Sequence, residues 1–227
     1  MIEEAIEGML SAQQARVLAC LMEKQMTTPD YYPLTLKALT AACNQKSSRV
    51  PVMNLTASEV GGVVNDLRAE GLITARMDGR ADRFEQHLSR KLGISTKERA
   101  LLCVLMLRSA LTLNEIRINT GRMVSFESAE ELQALLDQWI GSDDPLLVRI
   151  PRAAGQREDR YAHLLCGKAA IDVVAEALGG TEIISGTEVT GGTTGSNKLE
   201  SDRIAQLEKD VADLKEQFQQ FRQDAGL

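Results

Sequence analysis

Aromatic residues are scarce in this chain: its 227 residues include one Trp, three Tyr and four Phe. Any core must therefore be assembled from Leu, Val, Ile, Ala and Met. The four cysteines, Cys20, Cys43, Cys103 and Cys166, are far apart and form no Cys-x-x-Cys pair. Reduced thiols in a cytoplasmic protein are the simplest reading of that spacing. No apolar run is long enough to span a bilayer, so no membrane-spanning helix is expected. The opening MIEEAIEGML is acidic and lacks the basic-then-apolar pattern of a secretion signal. There is no His-x-x-x-His, no cysteine cluster, no Gly-x-x-x-x-Gly-Lys-Ser/Thr loop and no Gly-x-Ser-x-Gly elbow. The two histidines, His87 and His163, fall at matching ends of two hairpin-like stretches, so they reflect a repeat and not a paired site. The expectation is a protein with no catalytic activity, no metal and no cofactor.

A basic excess is missing too. The net charge is -6. Residues 1–88 carry 9 basic and 11 acidic groups, residues 89–180 carry 12 and 12, and residues 181–227 carry 5 and 9. A strong nucleic-acid binder usually shows the opposite balance.

What is present is organised around Leu55–Leu88. Thr56 and Glu59 have capping-box spacing, and Val60, Val63, Val64 and Leu67 follow at helical spacing. Gly71 closes the helix. Leu72–Arg76 reads as a strand, Asp78-Gly79 as a hairpin turn and Arg83-Phe84-Glu85 as the return. Upstream, Ser11 with Gln14 caps a first helix with Val17, Leu18, Leu21 and Met22 inward, and Leu34 to Cys43 reads as a second helix. The order helix, helix, helix, hairpin is that of a winged helix-turn-helix.

The pattern then recurs. Ser11–Leu18 aligns with Ser95–Leu102 at an offset of 84, and Thr35-Leu36 with Thr112-Leu113 at 77. Val60, Val63, Val64 and Leu67 align with Leu132, Leu135, Leu136 and Trp139 at 72, and Asp82-Arg83-Phe84 with Asp159-Arg160-Tyr161 at 77. The fold expected is mainly α with small antiparallel β wings: two tandem winged helix-turn-helix domains, at 10–88 and 94–178, plus a C-terminal coiled-coil helix. Residues 179–198 are rich in Gly, Thr and Ser and read as a flexible linker. Within 199–223, Ile204, Val211 and Phe218 fall at heptad position a and Leu207, Leu214 and Phe221 at d. That seam predicts a parallel two-stranded coil, hence a homodimer, with folding back onto the chain's own domains as the alternative.

Two stretches resemble a known family. Tyr31-Tyr32-Pro33-Leu34-Thr35-Leu36 and Ala41–Val52, with its Cys43-Asn44-Gln45-Lys46-Ser47 core, are similar to the YceH-like family of bacterial proteins, as is Gln156–Leu165. The resemblance covers about residues 10–167. It implies a tandem winged-helix protein without an established activity, and it carries over no catalytic residue. Val50 departs from the family, which usually has an acidic residue there.

Two partner classes follow from the residues. For double-stranded DNA, the third helix would enter the major groove and offer Ser58, Asn65 and Arg68. Lys46 and Arg49 before it, Arg76, Arg80 and Arg83 on the first wing, and Arg149, Arg152 and Arg157 on the second would reach phosphates. The mid-helix pair Gly61-Gly62 costs about 1 kcal/mol per glycine relative to Ala. A close backbone approach by DNA or another helix would explain it, and so would tolerated instability. For a protein partner, the helix at 128–140 carries Glu130, Glu131 and Asp137 with no basic residue. It opposes DNA and suits a scaffold resembling the tandem winged-helix partners of chromosome-condensing complexes.

Overall fold

The computed structural model describes residues 10–78 and 81–177. The described chain is mainly helical with two small antiparallel sheets. The first half runs α1 (Ala12–Thr27), β1 (Leu34–Thr35), α2 (Leu36–Cys43), α3 (Ala57–Ala69), β2 (Ile73–Asp78) and β3 (Ala81–Gln86). A short α4 (Leu88–Lys91) leads to α5 (Thr96–Arg108), α6 (Leu113–Thr120), α7 (Ala129–Ile140), β4 (Leu147–Ile150), β5 (Arg160–His163) and α8 (Lys168–Ala177). The first sheet has the order β1-β3-β2, and β4 pairs with β5 in the second.

Local chemistry sets most of the boundaries. Ser11, Thr56, Ser95 and Thr112 each accept from the backbone N–H three residues on, at 3.2–3.3 Å, and the Gln or Glu there accepts from the cap's own N–H at 2.7–2.9 Å. Each such cap is worth about 1 kcal/mol. Gly71, at φ +70, ends α3: its N–H donates to the Arg68 carbonyl and the Leu72 N–H to the Leu67 carbonyl. That pair of bonds needs a left-handed residue, which glycine adopts without strain.

The repeat persists down to single hydrogen bonds. Leu34 pairs with Phe84, and their counterparts in the second copy, Leu111 and Tyr161, bridge in the same way. Arg83 donates to the Pro33 carbonyl at 3.1 Å, and its counterpart Arg160 donates to the Ala110 carbonyl at 3.1 Å. One expectation is corrected here. Leu34 and Thr35 are not the first turn of the second helix but a strand lying beside β3, and Thr35 is the N-cap. Pairing with a segment distant in the chain outweighs the local helical period. The hairpin strands run to Asp78 and resume at Ala81, so Gly79 and Arg80 lie outside the described residues. The linker at 179–198 and the coiled-coil residues Ile204, Leu207, Val211, Leu214, Phe218 and Phe221 lie outside them too.

α1 and α5 are buried on every side. Eight consecutive residues of each, Ala15–Met22 and Ala100–Leu107, are shielded from solvent, Arg16 among them. The two helices run antiparallel against each other. The Cys103 thiol donates to the Ala19 carbonyl at 3.3 Å, while Arg99 reaches the Gln25 side chain at 3.4 Å. Further back along α1, Ala15 and Arg16 share one small cavity with Met106 and Ser109. At the repeat offset of 84, Ala19 and Cys103 are counterparts, so the halves meet about a local twofold. One continuous apolar core runs through both. A smaller cluster, Val148, Ile150, Ala162, Leu164 and Ile171 with Ala110, lies between the second hairpin and α8. No helix of the described residues is long and apolar enough to cross a membrane.

A shared core makes the halves unfold together. Leu18→Ala in the first half should cost about 2–5 kcal/mol. It should also lower the urea midpoint reported by the fluorescence of Trp139, the single tryptophan, which sits in the second half. Independent halves would leave the Trp139 transition where it was.

Candidate nucleic-acid interface

The outer face of α3 is assembled by its inner one. Val60, Val63, Val64 and Leu67 are buried, so Ser58, Asn65 and Arg68 turn outward, and all three are exposed. The two glycines differ. A Cβ on Gly61 would touch the Leu36 side chain at an ordinary 3.7 Å, and one on Gly62 would meet nothing within 4 Å. Packing therefore requires neither glycine, and Gly62 leaves a bare strip of backbone between Ser58 and Asn65. Glu59 stays ionised at the N-terminus of α3, its carboxyl held below the usual range by the Thr56 N–H and hydroxyl.

The connection from α2 to α3 is held by buried guanidinium groups. Arg16 donates to the carbonyls of Cys43 at 3.2 Å and Pro51 at 2.7 Å. Arg49 donates to the carbonyls of Ala42 at 3.1 Å and Ser48 at 2.9 Å, and grips Glu23 with two bonds, at 2.6 and 3.2 Å. The carbonyls of Ala42 and Cys43, in the last turn of α2, have no acceptor duty within the helix, and the two arginines fill it. Asn44 completes the clamp by exchanging two bonds with the Leu55 backbone, at 2.7 and 2.8 Å. The Val50 N–H donates to the Leu107 carbonyl at 2.9 Å and ties the connection to α5. Arg49 is therefore not a phosphate contact. Its side chain is 0% exposed, because two main-chain carbonyls and Glu23 compensate its charge in the interior.

The remaining candidates are scattered. Lys46 is exposed on the α2–α3 connection. On the first hairpin (β2–β3), Arg76 is exposed but pairs with Glu85 at 2.9 Å, and the half-buried Arg83 secures Pro33. Arg80 falls outside the described residues. On the second hairpin (β4–β5), Arg149 lies 3.8 Å from Asp159, Arg152 donates to the Arg157 carbonyl at 3.2 Å, and Arg157 is exposed. Glu130 and Asp137 face solvent on α7, and Glu131 is paired with Lys97. Tyr31 is exposed, while the Tyr32 hydroxyl accepts from the Gln86 N–H at 2.8 Å. His87 hydrogen-bonds Thr74 at 2.7 Å, whereas burial pushes His163 down to about 4, so the repeated position carries no paired site. Among the described residues no three His, Cys, Asp or Glu side chains are grouped to hold a metal.

One feature carries no mark in the sequence. Lys24, Lys46, Arg108 and Arg122 line a cleft of about 520 Å3 between the halves. Lys46 belongs to the distinctive Cys-Asn-Gln-Lys-Ser stretch, but its neighbours come from α5 and the loop after α6, which no sequence period connects to it.

Comparison with known proteins places these features in a wider set. The family described as a protein of unknown function, DUF480, matches residues 10–156. A UPF0502 protein of Burkholderia multivorans is 46% identical over 171 residues, 75% of this chain and 73% of the relative. One from Cellvibrio japonicus is 43% identical over 174 residues, 77% of this chain and 80% of its own. One from Stenotrophomonas maltophilia is 41% identical over 214 residues, 94% of each. This set agrees with the resemblance carried by the Tyr-Tyr-Pro and Cys-Asn-Gln-Lys-Ser stretches.

The buried ion pair generates a stability prediction. Glu23→Ala leaves the Arg49 charge uncompensated in the interior and should cost about 3–5 kcal/mol in urea unfolding. Burial works to raise the Glu23 carboxyl, but the Arg49 hydrogen bonds and charge, with Lys24, outweigh it and hold it below the usual range. A lowered folded-state value contributes stability that is present above the unfolded carboxylate range and lost as pH falls through the folded value. Glu23→Gln should therefore flatten the loss of stability below about pH 4.5, measured as urea midpoint against pH.

Proposed function

The chain belongs to the DUF480 family of bacterial proteins of unknown function, and from that footing we propose that it binds double-stranded DNA as a tandem winged helix-turn-helix protein without catalytic activity. The observation that carries this reading is the outer face of α3. Ser58, Gly62, Asn65 and Arg68 form an exposed polar strip on which nothing in the described protein packs. An amide and a guanidinium on one helix face suit base-edge recognition. The bare backbone at Gly62 admits close approach, which accounts for a glycine that the fold does not need. Arg76 on the wing supplies a backbone contact. The heptad seam from Ile204 to Phe221 would pair two chains and present two such helices.

A second reading rests on α7. Its exposed face offers Glu130 and Asp137 and no basic residue, so the second half suits a protein partner better than a groove.

Binding of mixed-sequence duplex DNA, measured at low and moderate salt, tests the first reading. Arg68→Ala should weaken binding to the preferred sequence by about 1–3 kcal/mol and relax specificity, whereas Arg76→Ala should reduce the slope of log K against log salt by about 1. Gly62→Ala should stabilise the fold by about 1 kcal/mol and weaken DNA binding. Absence of binding even at low salt would sink the DNA reading, and binding untouched by the Arg68 and Gly62 changes would sink the assignment to α3. Truncation after Thr190 should convert a two-chain particle to a single chain in solution, and an unchanged number of chains per particle would remove the coiled coil from the proposal.

A further inference from the structure

The cleft between the halves is lined by four cationic side chains. Lys24 enters it from α1, Lys46 from the α2–α3 connection, Arg108 from the end of α5 and Arg122 from the loop after α6. Glu23 is the one acid in its lining, and both its oxygens are engaged by Arg49. Lys24 shares that carboxylate at 3.4 Å. Lys46, Arg108 and Arg122 have no hydrogen-bond or ion-pair partner among the described residues. Four cations against one committed carboxylate leave a surplus of positive charge in a partly enclosed space, where attraction to an anion is stronger than on open surface.

Four further features separate this cleft from a patch of solvated side chains. Arg108 is half-buried, and burial together with the nearby Arg49 charge lowers its proton affinity against the opposing pull of Glu23, so its charge is only partly compensated. Neutral donors accompany the charges: the Ser47 and Ser48 hydroxyls and the Asn119 amide. The floor is apolar, made by Val104, Leu107 and Met123. Ser48 and Ser109, the two non-glycine residues at positive φ among those described, sit in the lining and directly after Arg108. Backbone held in that region is uncommon and concentrates where a site is built.

We propose that this cleft binds a small phosphate-bearing molecule, a nucleotide or related organic phosphate, with its phosphates on Lys46, Arg108 and Arg122 and its less polar part on Val104, Leu107 and Met123. A volume of about 520 Å3 falls in the range of small-molecule sites. Guanidinium groups recognise phosphate oxygens in pairs, and the lysine adds a point charge. The apolar floor distinguishes this from a seat for a duplex backbone, which presents only sugar and phosphate to such a surface.

The test is calorimetric titration of the full chain with tripolyphosphate and with ATP, at about 0.15 M salt, where weak surface attraction is screened. Saturable binding at one site per chain is expected. Lys46→Ala and Arg122→Gln, both at exposed positions and therefore compatible with folding, should each weaken binding about tenfold, the loss of one charge-assisted contact. Arg108→Gln should weaken it at least as much, with its urea midpoint recorded beside the parent to separate binding from stability. Tighter binding of ATP than of tripolyphosphate would place the base on the apolar floor, and equal binding would place the affinity in the phosphates; both support the site. No heat with either probe, or equal heat from sulfate at matched ionic strength, would overturn it. So would affinity unaffected by Lys46→Ala and Arg122→Gln. Displacement of tripolyphosphate by a short duplex, with both lost in Arg122→Gln, would make the cleft a DNA contact and overturn the small-ligand assignment. Failure of duplex binding alone leaves this result untouched, since the two titrations are independent.

Discussion

The bonds from Arg49 and Arg16 to the end of α2 are the constraint on which the rest of the molecule depends. A guanidinium has five donors and no acceptor, so burying one is tolerable only where carbonyls and carboxylates converge. Here they do. The last carbonyls of α2, the Ser48 and Pro51 carbonyls and Glu23 on α1 surround the two side chains. The long connection from α2 to α3 is thereby fixed to α1 at one end, while Asn44 closes it on Leu55 at the other. Thr56, the cap of α3, follows directly. The orientation of the candidate reading helix is thus inherited from buried arginines that touch no ligand.

The same connection joins the halves. Its Val50 N–H takes up the Leu107 carbonyl near the end of α5, and α5 lies antiparallel to its counterpart α1. A repeated unit with one apolar stripe per helix would expose the far side of its first helix. Burying that side against the copy gives each first helix cover all round. α5 meets this demand with uninterrupted apolar residues from Ala100 to Leu107, and α1 meets it with Arg16 bonded to two main-chain carbonyls while its buried Nε has no partner. What diverges between the copies is the third helix: α3 keeps Ser58, Gly62, Asn65 and Arg68 beside the exposed Glu59 and Asp66, while α7 shows carboxylates and no basic residue.

Where a signal is local, the sequence expresses it. The four capping boxes, Gly71 after α3, the hydrophobic spacing of both third helices and the echo of Arg83 in Arg160 are each set by residues within a few positions or by exact recurrence. Long-range pairing is not expressed. Leu34-Thr35 reads as helix because its strand partner is Phe84, and Arg49 reads as a surface cation because arginine usually is one. Its burial depends on Glu23, far back on α1, which carries no mark of that role in the sequence. The cleft is further out of reach, since Lys46 and Arg122 belong to different copies of the repeat and meet only through the α1–α5 contact.

Charge sets the terms for any DNA reading. With Arg49 internal, Arg83 holding Pro33 and Lys46 in the cleft, the candidate basic groups left exposed on α3 and the first hairpin reduce to Arg68 and Arg76 among the described residues; Arg76 is shared with Glu85, and α2 adds the exposed Lys37. Counterion release scales with the number of phosphates neutralised, at about 0.9 of a log unit of affinity per log unit of salt for each. Two or three contacts give a shallow salt dependence and little non-specific affinity, against an overall charge of -6 that repels the duplex. A single copy of this interface must therefore rely on base-edge contacts from Asn65 and Arg68 or on pairing of two chains, because each doubling of the interface doubles the phosphate count without adding a basic residue to the sequence. The acidic chain and the DNA reading are compatible only in that form: weak where sequence is wrong, and dependent on what α3 can reach where it is right.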